Sequence, residues 1–333
     1  MSDRPIILSL TKMAESGLAK LREAGELRMA SSLTPEVLYR EIEPADALVI
    51  RTAGVIDAAL MDHAPKLRVI GRHGVGYDQV DVSAATARGI QVVYTPGANT
   101  EAVCQHTIAF LIGLSKHFPQ QMASLLAGRY NDRTKYVGRD LTARTLGIIG
   151  FGRIGRRVGE VAFRAFGMRV LYNDIVAAPA EIETKASATR VSLDTLLAEG
   201  EYVTLHVPLD ESTRRLINRS SLAKMRADAI LVNTCRGPVV DELAVAEALD
   251  AGKLWGYGAD VYDVEPPPSD HPLIGRGDVM LTPHSAAQTV ESLQNMAEGV
   301  AEDVVGVLNG RPPINPVNDP TEVAAVRRQL GRK

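Results

Sequence analysis

The stretch TLGIIGFGRIG, from Thr145 to Gly155, decides the fold of the surrounding chain. Its first residues form an apolar strand pattern, and a helical pattern follows over Arg156–Phe166. Between them, Gly150, Gly152 and Gly155 have the spacing GxGxxG. In this setting the first glycine permits a tight turn, the second lets backbone approach a pyrophosphate, and the third lets helix and strand pack closely. The helix N-terminus, whose free N–H groups and dipole favour an anion, is the predicted pyrophosphate site.

A carboxylate stands where a dinucleotide-binding turn needs one. Asp174 ends the next strand pattern and lies 19 residues past Gly155, close to the spacing of about 20 residues expected for the ribose-binding acid. Such a carboxylate accepts hydrogen bonds from the ribose hydroxyls and repels a 2′-phosphate. The sequence therefore predicts NAD rather than NADP. The alternative is a glycine-rich turn followed by a chance aspartate.

Short apolar segments alternate with longer helical patterns, which predicts βαβ units and mostly parallel sheets. A helical pattern over Thr100–Ala127 separates two such series, a second pattern over Thr289–Asn309 follows them, and Gly128–Asp140 is expected to be a surface loop. The fold class is therefore α/β with two units. The expected strands are Ile6–Leu10, Ala47–Arg51, Arg68–Gly71, Gln91–Tyr94, Thr145–Ile149, Arg169–Asn173, Tyr202–His206, Ala229–Asn233, Trp255–Val261 and Val279–Leu281.

Composition excludes several classes of protein. The 333 residues are 45% hydrophobic and 23% charged, which is typical of globular chains and not of disordered or fibrous ones. The formal net charge of −3 is too balanced for a dedicated nucleic-acid or membrane-surface binder. With two cysteines, no signal-peptide pattern and no long apolar run, a cytoplasmic protein without membrane spans is expected. No metal is expected, because the spacing of metal ligands is not found among His63, His73, His106 and His117.

Three polar residues follow predicted strands of the second series. Arg236 follows the strand that ends at Asn233, Glu265 follows the next strand, and His284 follows the last one. Ligands of open α/β sheets bind outside the carboxyl ends of strands. An arginine offers a two-pronged donor for a carboxylate, a histidine exchanges a proton near neutral pH, and a glutamate beside that histidine favours imidazolium. Together with a nicotinamide they suit a 2-hydroxy or 2-keto acid, although spacing alone leaves open whether they converge.

The motifs GFGRIG with Asp174, VTLHVPLDEST, NTCRG, ADVYDVEP and TPHSA occur in the order seen in D-isomer-specific 2-hydroxyacid dehydrogenases. The chain resembles this family from about Ala47 to Met296, most of all the phosphoglycerate dehydrogenase and hydroxypyruvate/glyoxylate reductase branch. The resemblance implies two Rossmann- or flavodoxin-like parallel-sheet domains with a cleft between them. A discontinuous substrate-binding domain would take residues 1–100 and 289–333, and an NAD-binding Rossmann domain residues 101–288. It also implies a homodimer.

The resemblance implies a role for each matching residue. Arg236 would bind the substrate carboxylate and polarise the carbonyl, His284 would be the acid/base and Glu265 its partner. Asp260 would lie near the nicotinamide carboxamide. The implied cofactor-binding set is Gly150, Gly152, Arg153, Ile154, Gly155, Asp174, His206, Pro208, Thr213, Thr234, Cys235 and Asp260. The implied substrate-binding set is Arg51, Arg72, His73, Gly74, Val75 and Gly76, with backbone N–H groups of the glycine-rich loop holding a carboxylate oxygen. The alternative for that loop is a plain strand-to-helix turn.

The sequence leaves the substrate open. Arg51 and Arg72 match positions of phosphate-binding arginines in phosphoglycerate dehydrogenases, which favours 3-phosphoglycerate; either one could instead be an ion-paired strand-end residue. Because the printed chain ends soon after the last helical pattern, we expect no regulatory C-terminal domain of the kind that many such enzymes have. Glycerate/hydroxypyruvate and glycolate/glyoxylate are therefore equally open. The rival reading is an NADH-sensing protein without turnover, like the C-terminal-binding-protein co-repressors, which keep the same three residues.

Overall fold

The computed structural model describes residues 4–52 and 54–332. The chain divides into two compact units, unit 1 with Met1–Asn99 and Gln288–Lys333, and unit 2 with Thr100–Ala287. Each unit is built on one parallel sheet, of five strands in unit 1 and seven in unit 2. The predicted α/β class with two parallel-sheet units is confirmed.

Unit 1 has the strand order β2-β1-β3-β4-β5, which is the flavodoxin-like order. Its elements are β1 (Ile6–Ser9), α1 (Glu15–Ala24), β2 (Glu26–Met29), α2 (Pro35–Ile42), β3 (Ala47–Ile50), α3 (Ala58–Asp62), β4 (Val69–Arg72), α4 (Val82–Ala87), β5 (Gln91–Val93), α12 (Val290–Leu308) and α13 (Pro320–Gln329).

Helices cover both faces of the unit 1 sheet. Along β3, Leu48 and Ile50 belong to one hydrophobic core, whereas Ala47 and Val49 belong to another that also contains Val300 of α12. Successive side chains of a strand point to opposite faces, so a strand buried on both faces is apolar throughout. This explains why the continuous apolar runs are strands and not helices.

Unit 2 has the strand order β12-β11-β10-β9-β6-β7-β8, a Rossmann-type order with an added strand. Its regular elements are α5 (Thr100–Ser115), α6 (Phe118–Leu126), β6 (Thr145–Ile149), α7 (Arg153–Phe166), β7 (Arg169–Asn173), α8 (Ala180–Ala186), β8 (Ala188–Arg190), α9 (Leu193–Glu199), β9 (Tyr202–Leu205), α10 (Arg219–Leu222), β10 (Ile230–Asn233), α11 (Glu242–Asp250), β11 (Gly256–Ala259) and β12 (Val279–Leu281). Short 3-10 helices cover Tyr130–Thr134 and Gly237–Val239.

Two expectations about secondary structure are wrong. The predicted helix over Thr100–Ala127 is two helices, because the chain turns at His117, whose φ is +54°, and Pro119 follows in the first turn of α6. Proline has no N–H to continue the preceding helix and restricts the residue before it. The predicted loop over Gly128–Asp140 contains the 3-10 helix Tyr130–Thr134. The edge strands β2 and β8 and the helices α3 and α13 were not predicted.

Two kinds of feature are absent from the part of the chain that the structure describes. None of its helices combines the length and the apolar character that a bilayer span requires. Nor does it bring together three or more His, Cys, Asp or Glu side chains in a group suited to a metal ion.

Candidate functional site

The glycine-rich turn lies at the point where the strand order of unit 2 reverses, between β6 and β9. The φ of Gly150 is +90°, and a Cβ there would lie 2.5 Å from the carbonyl oxygen of His206. A Cβ on Gly155 would lie 2.1 Å from the carbonyl oxygen of Gly150, so α7 packs directly on the turn. Both positions therefore require glycine. Ligands of doubly wound sheets bind at such a reversal.

The N-terminus of α7 is shaped to receive an anion. Gly152 is the N-cap, no side chain caps the helix, and its first turn carries no acidic residue. A Cβ on Gly152 would have no heavy atom within 4 Å among the described residues, so this point is open for close approach. The first N–H groups of a helix have no partner within the helix and carry its positive dipole end. This is the fit that a dinucleotide pyrophosphate over Arg153 and Ile154 requires.

Asp174 lies beside the glycine-rich turn, at the carboxyl end of β7. One carboxylate oxygen, Oδ2, accepts a hydrogen bond of 2.7 Å from the backbone N–H of Phe151. The other, Oδ1, accepts one of 3.0 Å from the N–H of Val176. Asp174 therefore ties the turn to the neighbouring strand end. A carboxylate has further acceptor sites beyond these two, so ribose hydroxyls can still bind to it.

His206 follows β9 and shares this corner of the sheet. Its backbone N–H donates to the carbonyl of Ile149 at 2.8 Å. Its Nε2 is buried without a hydrogen-bond partner among the described residues, and burial lowers the pKa of His206 to about 3. The ring is therefore neutral near pH 7, with a buried polar atom that a ligand can satisfy. In the following loop, the Thr213 hydroxyl donates to the carbonyl of Pro208 at 2.7 Å.

Asn233, at the end of β10, shapes the turn before Arg236. Its side-chain amide donates to the carbonyl of Arg236 at 2.9 Å, and its Oδ1 accepts from the N–H of Cys235 at 3.1 Å. Burial raises the pKa of Cys235 to about 11, so this residue stays a thiol and is no nucleophile at neutral pH. The hydroxyls of Thr234 and Thr107 lie 3.1 Å apart. The turn is therefore held by buried partners.

Glu265 and His284 form a hydrogen-bonded pair at the same edge of the sheet. The distance between Glu265 Oε2 and His284 Nδ1 is 2.7 Å. Because a carboxylate only accepts, Nδ1 carries the proton, and Nε2 is the ring nitrogen available to a substrate. The side chains of His284 and Glu265 are 40% and 37% exposed, so a ligand can reach them.

Arg236 acts on the same pair electrostatically. Burial raises the pKa of Glu265, but the hydrogen bond from His284, together with the nearby charge of Arg236, outweighs it and lowers that pKa overall. Glu265 is therefore ionised at neutral pH. The three side chains follow three adjacent strands, β10, β11 and β12, and this adjacency explains how residues can meet whose convergence their spacing left open.

Asp260 holds the segment that presents His284. Its carboxylate accepts hydrogen bonds from the hydroxyl of Thr282 at 2.6 Å and from the N–H groups of Ser285 and Ala286 at 2.7 and 2.8 Å. The N–H of His284 donates to the carbonyl of Asp260 at 2.8 Å. These bonds surround a residue whose φ is +50°, a conformation that non-glycine residues adopt only when neighbours hold it. Asp260 therefore orients the acid/base candidate.

The predicted substrate loop of unit 1 is folded around His73. This residue is 1% exposed, and both ring nitrogens are buried without a partner among the described residues. Burial, with the charge of Arg51 as the second cause, lowers the pKa of His73 to about 4. The imidazole is therefore neutral at pH 7. The guanidinium of Arg72 donates to the carbonyl of His73 and lies over Gly74, whose φ is +139°.

Two features of this loop suit an anion. The backbone N–H groups of Val75 and Gly76 have no hydrogen-bond partner among the described residues. The half-buried guanidinium of Arg51 has a pKa lowered by burial, and no carboxylate of the described residues pairs with it. Cationic groups that are partly desolvated and unmatched by acids favour anionic ligands.

Sequence reasoning missed some residues around the site. Asn233 and Thr282 lie within the quoted motifs NTCRG and TPHSA, yet no role was predicted for them. Tyr262, in the motif ADVYDVEP, was missed in the same way. Their position directly after strands was the available signal, but hydrogen bonds to the backbone of other segments leave no pattern in a single sequence.

Comparison with known proteins agrees with this geometry. Residues 108–286 match the family model described as D-isomer specific 2-hydroxyacid dehydrogenase, NAD binding domain. A glyoxylate reductase of Korarchaeum cryptofilum is 38% identical over 330 residues, which are 97% of this chain and 98% of that protein. A D-3-phosphoglycerate dehydrogenase of Archaeoglobus fulgidus is 37% identical over 95% of this chain, which spans 59% of that protein's length. A crystal structure of D-lactate dehydrogenase from Aquifex aeolicus, complexed with NAD and lactic acid, is similar to this chain with a TM-score of 0.83 and 28% sequence identity. The superposition covers 92% of this chain and 96% of the lactate dehydrogenase chain.

The chain belongs to the D-isomer specific 2-hydroxyacid dehydrogenase family, and residues 108–286 are its NAD-binding domain. NAD is the cofactor of this domain, and the open N-terminus of α7, the buried Nε2 of His206 and the carboxylate of Asp174 fit it. The chain spans only part of the phosphoglycerate dehydrogenases that it matches. It corresponds to 59% of the length of the Archaeoglobus fulgidus protein and to 52% of the length of one from Arabidopsis thaliana.

Proposed function

We propose that this protein is an NAD(H)-dependent D-2-hydroxyacid dehydrogenase, acting in reverse as a 2-keto acid reductase. The observation that carries the proposal is the 2.7 Å bond between Glu265 and His284 at the edge of the sheet that also carries the glycine-rich turn. Because the NADH-sensing co-repressors keep the same three residues, turnover of a keto acid is the measurement that separates the two functions.

The residues of unit 2 have complementary roles in this reaction. NADH supplies the hydride for reduction of the 2-keto acid. The guanidinium of Arg236 binds the substrate carboxylate and draws electron density from the carbonyl. His284 donates the proton on Nε2 to the carbonyl oxygen, where negative charge develops. The carboxylate of Glu265 holds Nδ1–H and stabilises the positive ring before that transfer. In the oxidation of the 2-hydroxy acid, the neutral ring accepts the hydroxyl proton.

We propose Arg153, Ile154 and the turn glycines for the pyrophosphate, and Asp174 for the ribose. The adenosine side is assigned to His206, Pro208 and Thr213, and the nicotinamide side to Thr234, Cys235 and Asp260. Unit 1 is proposed as the substrate-binding domain. Its contribution is the half-buried charge of Arg51 and the N–H groups of Val75 and Gly76, for which the described part of the chain offers no acceptor. Arg72, His73 and Gly74 form the loop that holds them.

Initial rates with reduced nicotinamide and a panel of keto acids test the proposal. The panel holds hydroxypyruvate, glyoxylate, 3-phosphohydroxypyruvate, pyruvate and 2-ketoisocaproate, each with NADH and with NADPH. Turnover with NADH supports the dehydrogenase. Binding of NADH with no turnover of any keto acid supports the sensor alternative.

The pair of hydroxypyruvate and its 3-phosphate distinguishes the remaining substrate classes. If Arg51 binds a phosphate, the variant Arg51→Ala loses kcat/KM for the phosphorylated keto acid by about tenfold or more, because a charge-assisted hydrogen bond contributes about 1.5–3 kcal/mol. Its kcat/KM for hydroxypyruvate changes little. Equal losses for both would assign Arg51 to the loop and not to a phosphate.

We propose a homodimer in the cytoplasm. The side chains of Phe118, Met122, Leu125 and Leu126 on α6 are between 45% and 87% exposed, and a second copy that covers them would remove this apolar surface from water. A mass in solution of twice 35.8 kDa is expected. It should fall toward one copy in Leu125→Asp but not in Leu330→Asp, a matched change at an exposed leucine of unit 1. The two cysteines are buried and free, which suits a reducing compartment.

A further inference from the structure

A second, buried histidine–glutamate pair lies under the turn that carries Glu265. The distance between His271 Nε2 and Glu242 Oε2 is 3.1 Å, and the side chains are 8% and 7% exposed. Nδ1 of His271 accepts from the N–H of Leu273 at 3.3 Å, so Nε2 carries the proton that Glu242 accepts. A buried pair of this kind is costly unless its members have well-defined partners. The reaction proposed above does not use it.

The pair holds the Glu265 turn on both sides. On one side, Glu242 Oε2 also accepts a hydrogen bond of 3.2 Å from the backbone N–H of Asp263, two residues before Glu265. On the other side, the backbone N–H of His271 donates to the carbonyl of Pro268 at 3.1 Å. The segment between Asp263 and Pro268, with Glu265 inside it, is therefore attached at one end to the side chain of Glu242 and at the other to the backbone of His271.

Tyr262 extends this support to His284. Its ring packs edge-on against the ring of His271, with centroids 5.8 Å apart at 86°. Its backbone N–H donates to Glu265 Oε1 at 3.1 Å. Its hydroxyl donates to the carbonyl of Thr282 at 3.0 Å, two residues before His284. One residue thus contacts the segments of both members of the acid/base pair.

We propose that His271 is a positioning residue, which through Glu242 and Tyr262 sets the distance between Glu265 and His284. This inference rests on the proposed function, since it concerns the same acid/base pair. If the imidazole is removed, the carboxylate of Glu242 keeps the N–H of Asp263 but loses the ring that donates to it, and the ring of Tyr262 loses the surface it packs on. The turn then moves, and a displacement of about 1 Å at reacting groups can lower turnover about a hundredfold.

A double-mutant cycle with a conservative control tests this role. The variants are His271→Phe, which keeps a ring but cannot donate to Glu242, and His271→Gln, whose amide can. Each is made alone and together with Glu265→Gln. The measurements are kcat and KM on the best keto acid of the panel, and the NADH dissociation constant by calorimetry. The effect of each His271 substitution on kcat is measured both with Glu265 present and in the Glu265→Gln variant. A general loss of stability lowers kcat by the same factor in both cases, so it cancels when the two effects are compared.

In the otherwise unchanged protein, His271→Phe should lower kcat at least about tenfold, with the NADH dissociation constant within about twofold. His271→Gln should recover most of that loss. In the Glu265→Gln background, His271→Phe should lower kcat further by less than about twofold, since the residue through which it acts is already disabled.

Two other results would overturn the inference. If Glu265→Gln lowers kcat strongly and His271→Phe lowers it by the same factor in both backgrounds, His271 serves the fold alone and the proposed function stands. If Glu265→Gln retains the activity of the unchanged protein, the acid/base assignment itself is wrong, and the inference fails with it.

Discussion

Replacing His73 with phenylalanine should make the protein less sensitive to mild acid. His73 is almost fully buried, and burial, with the charge of Arg51, lowers its pKa to about 4. In the unfolded chain a histidine has a pKa of about 6.5. Between these values the unfolded state binds a proton that the folded state refuses, so unfolding becomes easier as the pH falls below 6.5. The phenylalanine side chain has no group that binds a proton, in the folded or in the unfolded state.

The size of the effect follows from the two pKa values. At pH 5 a histidine with a pKa of 6.5 unfolded and 4 folded costs about 2 kcal/mol of folding free energy, and at pH 7 only about 0.2 kcal/mol. The unchanged protein should therefore lose about 2 kcal/mol more than His73→Phe between pH 7 and pH 5. A uniform change in stability from the new ring cancels, because only the difference between the two pH values is compared.

Urea unfolding at pH 7, 6 and 5 measures this difference. Circular dichroism follows both units, whereas the fluorescence of Trp255, the single tryptophan of the chain, follows unit 2. The effect of His73, which lies in unit 1, must appear in the dichroism transition. Parallel free-energy curves for the two proteins from pH 7 to pH 5 would refute the reasoning, because His73 would then bind protons equally in both states.

Three further predictions concern unit 2. His284→Ala should lower turnover at least about a hundredfold, as loss of a general acid/base does, while calorimetry still detects NADH binding; near-normal turnover would contradict the assignment. Asp174→Ala should weaken NAD(H) binding more than NADP(H) binding, because the carboxylate binds ribose hydroxyls and repels a 2′-phosphate; an unchanged ratio of the two dissociation constants would rule this out. Gly155→Ala places a Cβ 2.1 Å from the carbonyl oxygen of Gly150, so thermal unfolding should show a loss of about 1–3 kcal/mol and NADH affinity should fall. The matched change Gly306→Ala, at a helical position with no heavy atom within 4 Å of the new Cβ, should leave NADH affinity unchanged and should raise stability by up to about 1 kcal/mol, because alanine favours a helix more than glycine does.

Local pattern was sufficient for much of the fold. The strands Thr145–Ile149 and Arg169–Asn173 have the predicted bounds, because their central residues are buried on both faces and are therefore apolar at successive positions. The edge strand Val279–Leu281 also has the predicted bounds, because all three of its residues are apolar. The edge strands β2 and β8 were missed for the converse reason. They are short and largely exposed, so pairing with a neighbouring strand, and not their own residues, makes them strands.

Some features of the candidate site likewise depend on local sequence, and others depend on the tertiary structure. The sequence by itself determined the α/β class, the glycine-rich turn and its cofactor, because these depend on residues close together in the chain and on a backbone conformation that only glycine adopts. Residue spacing left open whether Glu265 and His284 meet, and the tertiary structure decided it. It also decided that Asp260 orients the histidine segment and that His271 contacts Glu242 and Tyr262. These contacts join the ends of adjacent strands, and strand order is set by the packing of the whole sheet, which no local stretch of sequence encodes.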